Sequence, residues 1–119
     1  ELQALYGAAE LQPGRPLFDV VLLGLGDNGH TASLFPRQPV LQERRLWVST
    51  CVPDDAPHTR LTLTYPAIHS SRHVVFMLAG AAKRDVFARV RAGDPVEPAS
   101  HITTEGGLTW LVDKAAAGV

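Results

Sequence analysis

The sequence predicts an α/β fold built on a mainly parallel sheet, and three observations carry that prediction. First, Phe18 to Leu23 (FDVVLL) is apolar apart from Asp19 and holds adjacent β-branched valines, the composition of a strand covered on both faces. Second, two further apolar runs, His73 to Ala79 (HVVFMLA) and Leu108 to Val112 (LTWLV), flank a segment of helical periodicity from Gly80 to about Ala92. Strands alternating with helices in this way build parallel sheets. Third, the glycines Gly24, Gly26 and Gly29 follow the first strand directly, at the strand end where open α/β sheets bind ligands. With 119 residues the chain has room for one small domain and not for two.

Taken in order, Glu1 to Leu11 (ELQALYGAAEL) reads as the latter part of a helix, with Leu2, Leu5 and Ala9 on its apolar stripe and no cap before it. That opening, without a methionine, predicts a piece of a longer protein. Gln12 to Pro16 turns the chain into the first strand. After the glycines, a short helix is expected to begin at His30 and to end before Pro36. Pro36 to Arg45 is a polar connection, Leu46 to Val52 (LWVSTCV) a second strand, and Pro53 to Thr59 (PDDAPHT) a loop. Arg60 to Thr64 (RLTLT) alternates as a short strand does, and Pro66 opens a helical turn through Ala67 and Ile68. On the helix from Gly80, the buried face is Val86, Phe87 and Val90, and the wet face is Lys83, Arg84, Asp85, Arg89 and Arg91. Gly93 to Pro98 is a turn, and Asp113 caps a short terminal helix of alanines.

Composition narrows the function classes. With 45% apolar residues and a net charge of -1, the chain has the balance of an ordinary globular domain, and nothing in it calls for nucleic acid or an acidic membrane surface as partner. The single cysteine, Cys51, can form neither an internal disulfide nor a metal knuckle and is expected as a small buried residue in a strand. No apolar run approaches the ~18 residues of a membrane span, and no signal-peptide pattern opens the chain, so a cytoplasmic setting is expected.

The chemistry concentrates after the first strand. The spacing Gly24-x-Gly26-x-x-Gly29 matches a dinucleotide fingerprint, but Pro36 allows barely more than one helical turn. The acidic residue that such a fold places ~20 positions on is also lacking, since Glu43 precedes the next strand and Val52 ends it. His30 is more informative. In the first turn of a short helix, the positive end of the dipole favours neutral imidazole, which is a base. A base near neutrality beside backbone N–H groups fits water attack on an ester-like carbonyl. Gly26 and Gly29 let the backbone approach a ligand, and Asn28, Thr31 and Ser33 add polar groups. Ser33 lacks the G-x-S-x-G context of a nucleophile and reads as a helix hydroxyl. His69 and His73 have i,i+4 spacing, yet Ser70 and Ser71 interrupt any helix there, so no metal site is expected and His58, His69, His73 and His101 read as surface histidines.

The run GLGDNGHTASLFP, from Gly24 to Pro36, resembles the signature of the 6-phosphogluconolactonase family, with Gly29 to Pro36 its specific part. The similarity continues through TRLTLTYPAI (Thr59 to Ile68), through RHVVFMLAG and the following helix, and into GLTWLVDKAAA, in the family's order along almost the whole chain. The resemblance implies a three-layer, Rossmann-like sandwich of the sugar-phosphate isomerase/deaminase type, with residues 1–119 as the C-terminal portion of a single domain. It also implies hydrolysis of 6-phosphoglucono-δ-lactone to 6-phosphogluconate in the pentose phosphate pathway, without metal or organic cofactor. On that resemblance His30 is the base that activates water and Asn28 its partner. Gly26, Gly29, Thr31 and Arg60 are the expected substrate-binding residues, with the guanidinium of Arg60 suited to the phosphate.

Two positions depart from the family pattern. Asn28 stands where the family usually has Asp; its oxygen can accept a hydrogen bond from imidazole and set the tautomer, but it brings no full negative charge. Asp54 and Asp55 stand in a loop that commonly carries a lysine among prolines. Family members are considerably longer, and their Ser/Gly-rich phosphate loop belongs to an N-terminal half that this sequence does not contain. The expected partners are therefore that half and a small sugar phosphate lactone. Two other functions stay open, with a dinucleotide-binding fragment as a third and last. Glucosamine-6-phosphate deaminase shares the fold and an (Asn/Asp)-Gly-His turn but continues differently from HTASLFP. A sugar-phosphate-binding module without catalysis is motivated by Asn28, Asp54 and Asp55.

Overall fold

The computed structural model describes residues 1–54 and 58–119, so Asp55 and the middle of the Pro53 to Thr59 loop lie outside the described residues. The elements run α1 (Leu2–Tyr6), β1 (Phe18–Leu23), β2 (Val48–Cys51), β3 (Arg60–Leu63), α2 (Tyr65–His69), β4 (Ser71–Leu78), α3 (Arg84–Arg91), β5 (Gly107–Val112) and α4 (Lys114–Ala117). Short 3-10 turns fall at Pro39–Gln42, Ala81–Lys83 and Pro98–His101.

The apolar runs pair as expected: β1, β4 and β5 form a parallel sheet in the order β1-β4-β5. Its register, Val21 opposite Val74 and Leu23 and Trp110 opposite Phe76, puts one set of side chains on the core face. Val74 and Phe76 are fully buried there, packed with Val86 and Val90 of α3 and with Leu25, Leu34, Ile68 and Ala116. Phe76 stacks on Trp110 with centroids 4.1 Å apart. Fully burying such a side chain contributes about 1.5–3 kcal/mol, so the sheet's core face is where the domain's stability concentrates.

The opposite face corrects an expectation. β1 is expected to be covered on both sides, yet Val20, Leu22, Met77 and Leu111 are 56%, 65%, 55% and 52% exposed, because α3 and α4 pack with the core-face side chains and, among the described residues, no element covers the other set. β2 and β3 correct another. They pair antiparallel with each other as a separate two-stranded sheet, since the short connection from Cys51 to Arg60 permits antiparallel but not parallel pairing. Cys51 is buried in β2, as expected, and burial pushes its thiol pKa up.

At the N-terminus the helix is shorter than its sequence suggests. Gly7, at φ 83, ends α1, and the chain folds back so that Tyr6 packs edge-on against Trp47 at 5.5 Å. The buried stripe is therefore Leu2 and Tyr6 with Ala8 and Leu11, while Leu5 is exposed. At the other end Asp113 caps α4 by accepting the Ala116 N–H at 2.8 Å, and its carboxylate also accepts the Gly80 N–H. One aspartate thus ties the start of the α3 segment to the end of β5. Among the described residues no helix is long and apolar enough to cross a membrane.

Candidate functional site

Beyond Leu23 the chain folds into a closed turn at the C-terminal edge of the sheet. Gly26 donates its N–H to the His30 carbonyl and Gly29 donates to the Gly26 carbonyl, both at 2.9 Å. Gly29 sits at φ 78, a left-handed conformation that costs a residue with a Cβ about 1–2 kcal/mol. A Cβ on Gly26 would fall 2.0 Å from the His30 ring, and one on Gly29 would fall 1.8 Å from a carboxylate oxygen of Glu97. The space that these two glycines free is filled by the protein's own side chains.

The helix expected from His30 to Phe35 does not form. Thr31 and Leu34 make an antiparallel bridge closed by the Leu34 N–H on the Thr31 carbonyl, and Ala32, at φ 51, has a backbone that no right-handed helix accepts. Tertiary hydrogen bonds decide this: the Thr31 hydroxyl donates to the Gly24 carbonyl at 2.8 Å and the Ser33 N–H donates to the Thr62 hydroxyl at 3.0 Å. With no helix starting there, no helix dipole acts on the imidazole. Thr31, expected to meet the ligand, is instead buried and shapes the turn from within.

A side chain sets the histidine. Asn28 Oδ1 accepts the His30 backbone N–H at 3.2 Å, which identifies that atom as the oxygen, and the same atom lies 2.6 Å from His30 Nδ1. Nδ1 then carries a proton, and a neutral ring so arranged would have its lone pair on Nε2. The ring is half-buried and stacks on Phe35 with centroids 4.3 Å apart and planes 19° apart. Phe35 also carries the guanidinium of Arg60, 5.4 Å from its centroid. One buried phenyl ring therefore brings together the two residues singled out as base and phosphate ligand.

Beside them an open cleft of about 400 Å³ is lined by Asn28, Phe35, Arg37, Asp54, Val96 and Glu97 among others. Asp54 pairs with Arg37 at 3.2 Å on the exposed rim; Asp55 is outside the described residues. Asp27, next to Asn28 in the chain, is 80% exposed in its side chain and pairs with Lys83 at 3.1 Å. Two histidines expected at the surface, His69 and His73, are in part buried. His69 is half-buried against Tyr65, and His73, on the open sheet face, lies 2.7 Å from the Thr109 hydroxyl. Among the described residues no group of three or more His, Cys, Asp or Glu could hold a metal ion.

Four residues at this site escaped the sequence reading. Phe35 stood out only as part of the run from Gly29 to Pro36. Lys83 and Arg89 were assigned to the wet face of their helix, yet Arg89 donates to the Asp27 carbonyl at 3.1 Å and to Glu97 at 2.6 Å. The bond to Glu97 raises the pKa of the Arg89 guanidinium further. Glu97 is buried; the available signal was a lone acid between Val96 and Pro98.

The chain is similar to known proteins along most of its length. The family model described as "Glucosamine-6-phosphate isomerases/6-phosphogluconolactonase" matches residues 1–110. A 6-phosphogluconolactonase of Nostoc sp. is 44% identical over 119 residues, covering 97% of this chain and 48% of the relative. A chloroplastic 6-phosphogluconolactonase 3 of Arabidopsis thaliana is 40% identical over 106 residues, covering 87% of this chain and 33% of the relative. Among solved structures, 6-phosphogluconolactonase from Trypanosoma cruzi superimposes with a TM-score of 0.81 at 31% identity, over 98% of this chain and 47% of that one. The chain spans about half the length, or less, of the curated relatives it matches.

Proposed function

This chain belongs to the glucosamine-6-phosphate isomerase/6-phosphogluconolactonase family, and from that premise we propose that it is the histidine-bearing part of an enzyme that hydrolyses 6-phosphoglucono-δ-lactone to 6-phosphogluconate. The observation that carries the reading is the 2.6 Å contact from Asn28 Oδ1 to His30 Nδ1, which leaves the base lone pair on Nε2.

In this mechanism His30 Nε2 takes a proton from water as the oxygen attacks the lactone carbonyl. Backbone N–H groups steady the tetrahedral oxyanion. As it collapses, the bond from the carbonyl carbon to the ring oxygen breaks, and the imidazolium returns the proton to that oxygen. The carboxylic acid formed loses its own proton to solvent. No electrons are transferred, so the reaction calls for no redox cofactor. Contacts to the phosphate hold the lactone in register, with Arg60 as one of them. Asp54 is no obstacle to that role, since Arg37 offsets its charge.

The bare sheet face supports a second part of the reading. Parallel sheets are covered on both faces, and Val20, Leu22, Met77 and Leu111 together offer an apolar surface that the remainder of a full-length lactonase would cover. That remainder would supply the rest of the phosphate site.

The test is hydrolysis of 6-phosphogluconolactone by the intact protein, followed as acid release above the spontaneous rate. His30→Ala is expected to lower kcat at least ~100-fold with little change in KM. Retained kcat would remove His30 from the mechanism. Turnover of glucosamine 6-phosphate in place of the lactone would move the protein to the deaminase arm of its family, and tight product binding without turnover would mark a binding module.

A further inference from the structure

The turn that carries His30 is braced from behind by charged groups on distant parts of the chain. Arg89 of α3 gives one N–H to the Asp27 carbonyl at 3.1 Å and another to Glu97 Oε1 at 2.6 Å. Lys83 holds the Asp27 carboxylate at 3.1 Å, and Ala99 donates its N–H to the Gly29 carbonyl at 2.9 Å. The two neighbours of Asn28 are thus both held.

Glu97 is the unusual member. Its side chain is 7% exposed, and Oε2 has no hydrogen-bond partner among the described residues. That oxygen lies against Gly29, in the space that any larger residue there would need. Stability does not account for the arrangement. Glu97 is buried but Arg89 is 41% exposed, so desolvation of the carboxylate and solvent screening of the guanidinium offset much of what the pair gains by attraction. What apolar residues cannot do is donate to the Asp27 carbonyl beside Asn28.

We propose that Arg89 and Glu97 are positioning residues for His30: Arg89 holds the Asp27 carbonyl, Glu97 fixes Arg89 and packs against Gly29, and together they keep Asn28 Oδ1 on the imidazole and the ring aimed at the substrate. The proposal rests on the reading of His30 as the base. A brace matters to such a base because a misplacement of about 1 Å can cost as much as a hundredfold in rate.

The test is the double variant Arg89→Met/Glu97→Leu in the intact protein, which removes the charges and keeps the volume. Its melting temperature is expected to stay within about 2 °C of the parent's, since a pair with one exposed partner contributes little net stability. Its kcat is expected to fall roughly tenfold with KM changed less than about twofold, because misplacement acts on the chemical step. The amides of Gly29 and His30, which donate to Gly26 and Asn28, are expected to exchange hydrogen at least about tenfold faster as the turn opens locally. Arg89→Lys keeps a cation for Glu97 without the second fixed N–H for Asp27, and is expected to fall between parent and double variant. Parent kcat, or parent exchange at both amides, would overturn the proposal. Should the double variant fail to fold, Glu97→Gln gives the same two readings by the same rule. The base reading fails separately, if His30→Gln keeps the parent kcat, and in that case amide exchange in the double variant still shows whether the brace exists.

Discussion

Two histidines of this chain stack on aromatic rings at opposite ends of one sheet. His30 lies 4.3 Å from Phe35, after the C-terminal end of β1, and His69 lies 5.7 Å from Tyr65, just before the start of β4. Each ring also has a nitrogen in a hydrogen bond: His30 Nδ1 to the Asn28 side chain, His69 Nε2 to the His101 carbonyl at 3.2 Å. The surroundings differ. His69 belongs to a packed corner, where the Tyr65 hydroxyl, its pKa pushed up by burial to about 12, donates to the Pro98 carbonyl. Burial first, and the charge of Arg44 with it, hold His69 below its ordinary value of 6.5, against the opposing pull of the His101 carbonyl. His30 instead sits among glycines at the carboxyl end of a parallel strand, where ligands of such sheets bind. A stacked, hydrogen-bonded histidine is therefore not by itself a base. What separates the two is the backbone around them and the strand end that they occupy.

The most direct way to break this comparison is to delete each ring in turn. His30→Ala is expected to cost at least ~100-fold in lactone turnover, and His69→Ala less than about twofold. Equal losses would show that the packed corner takes part in catalysis. Gly26→Ala comes next. Its Cβ would fall 2.0 Å from the imidazole, so the ring must move and kcat is expected to drop roughly tenfold, with a changed His30 imidazole spectrum by NMR. An unaltered spectrum would mean that the turn relaxes instead. Asn28→Asp sharpens the comparison further. It keeps the acceptor on Nδ1 and adds a charge that favours imidazolium, so activity is expected to stay level or rise within about tenfold. A large loss would reveal a contact that only an amide makes.

The smallest effect belongs to His69 and concerns stability. Its folded pKa lies below its unfolded value, so below about pH 6.5 the unfolded chain binds the proton more readily and stability falls on acidification. His69→Gln is expected to flatten the decline in melting temperature as pH falls below about 6.5, with lactone turnover at neutral pH little changed. An unchanged slope would assign the decline to other groups.

Much of the architecture was legible because it depends on local pattern. The bounds of β1 follow from FDVVLL, the parallel pairing from apolar runs spaced by a helix, and the cap of α4 from Asp113 before alanines. His30 and its link to Asn28 were legible for the same reason, since a two-residue spacing in a glycine turn lets few other side chains reach the ring. The helix expected at His30 was not, because the local composition of HTASLF tolerates either a helix or a turn. Two contacts distant in sequence, Thr31 to Gly24 and Ser33 to Thr62, chose the turn.

The sequence by itself determined the strands, the glycine turn and the histidine on it, all set by periodicity and short-range geometry. Only the tertiary structure decided how that turn is held. Lys83 and Arg89 look like any solvated cations on a helix, and Glu97 like any acid in a loop, until the fold sets them against Asp27 and Gly29 across more than fifty residues of chain. The physical reason is reach: a periodic pattern reports which face of an element is apolar, whereas an ion pair between elements depends on where two faces finally meet.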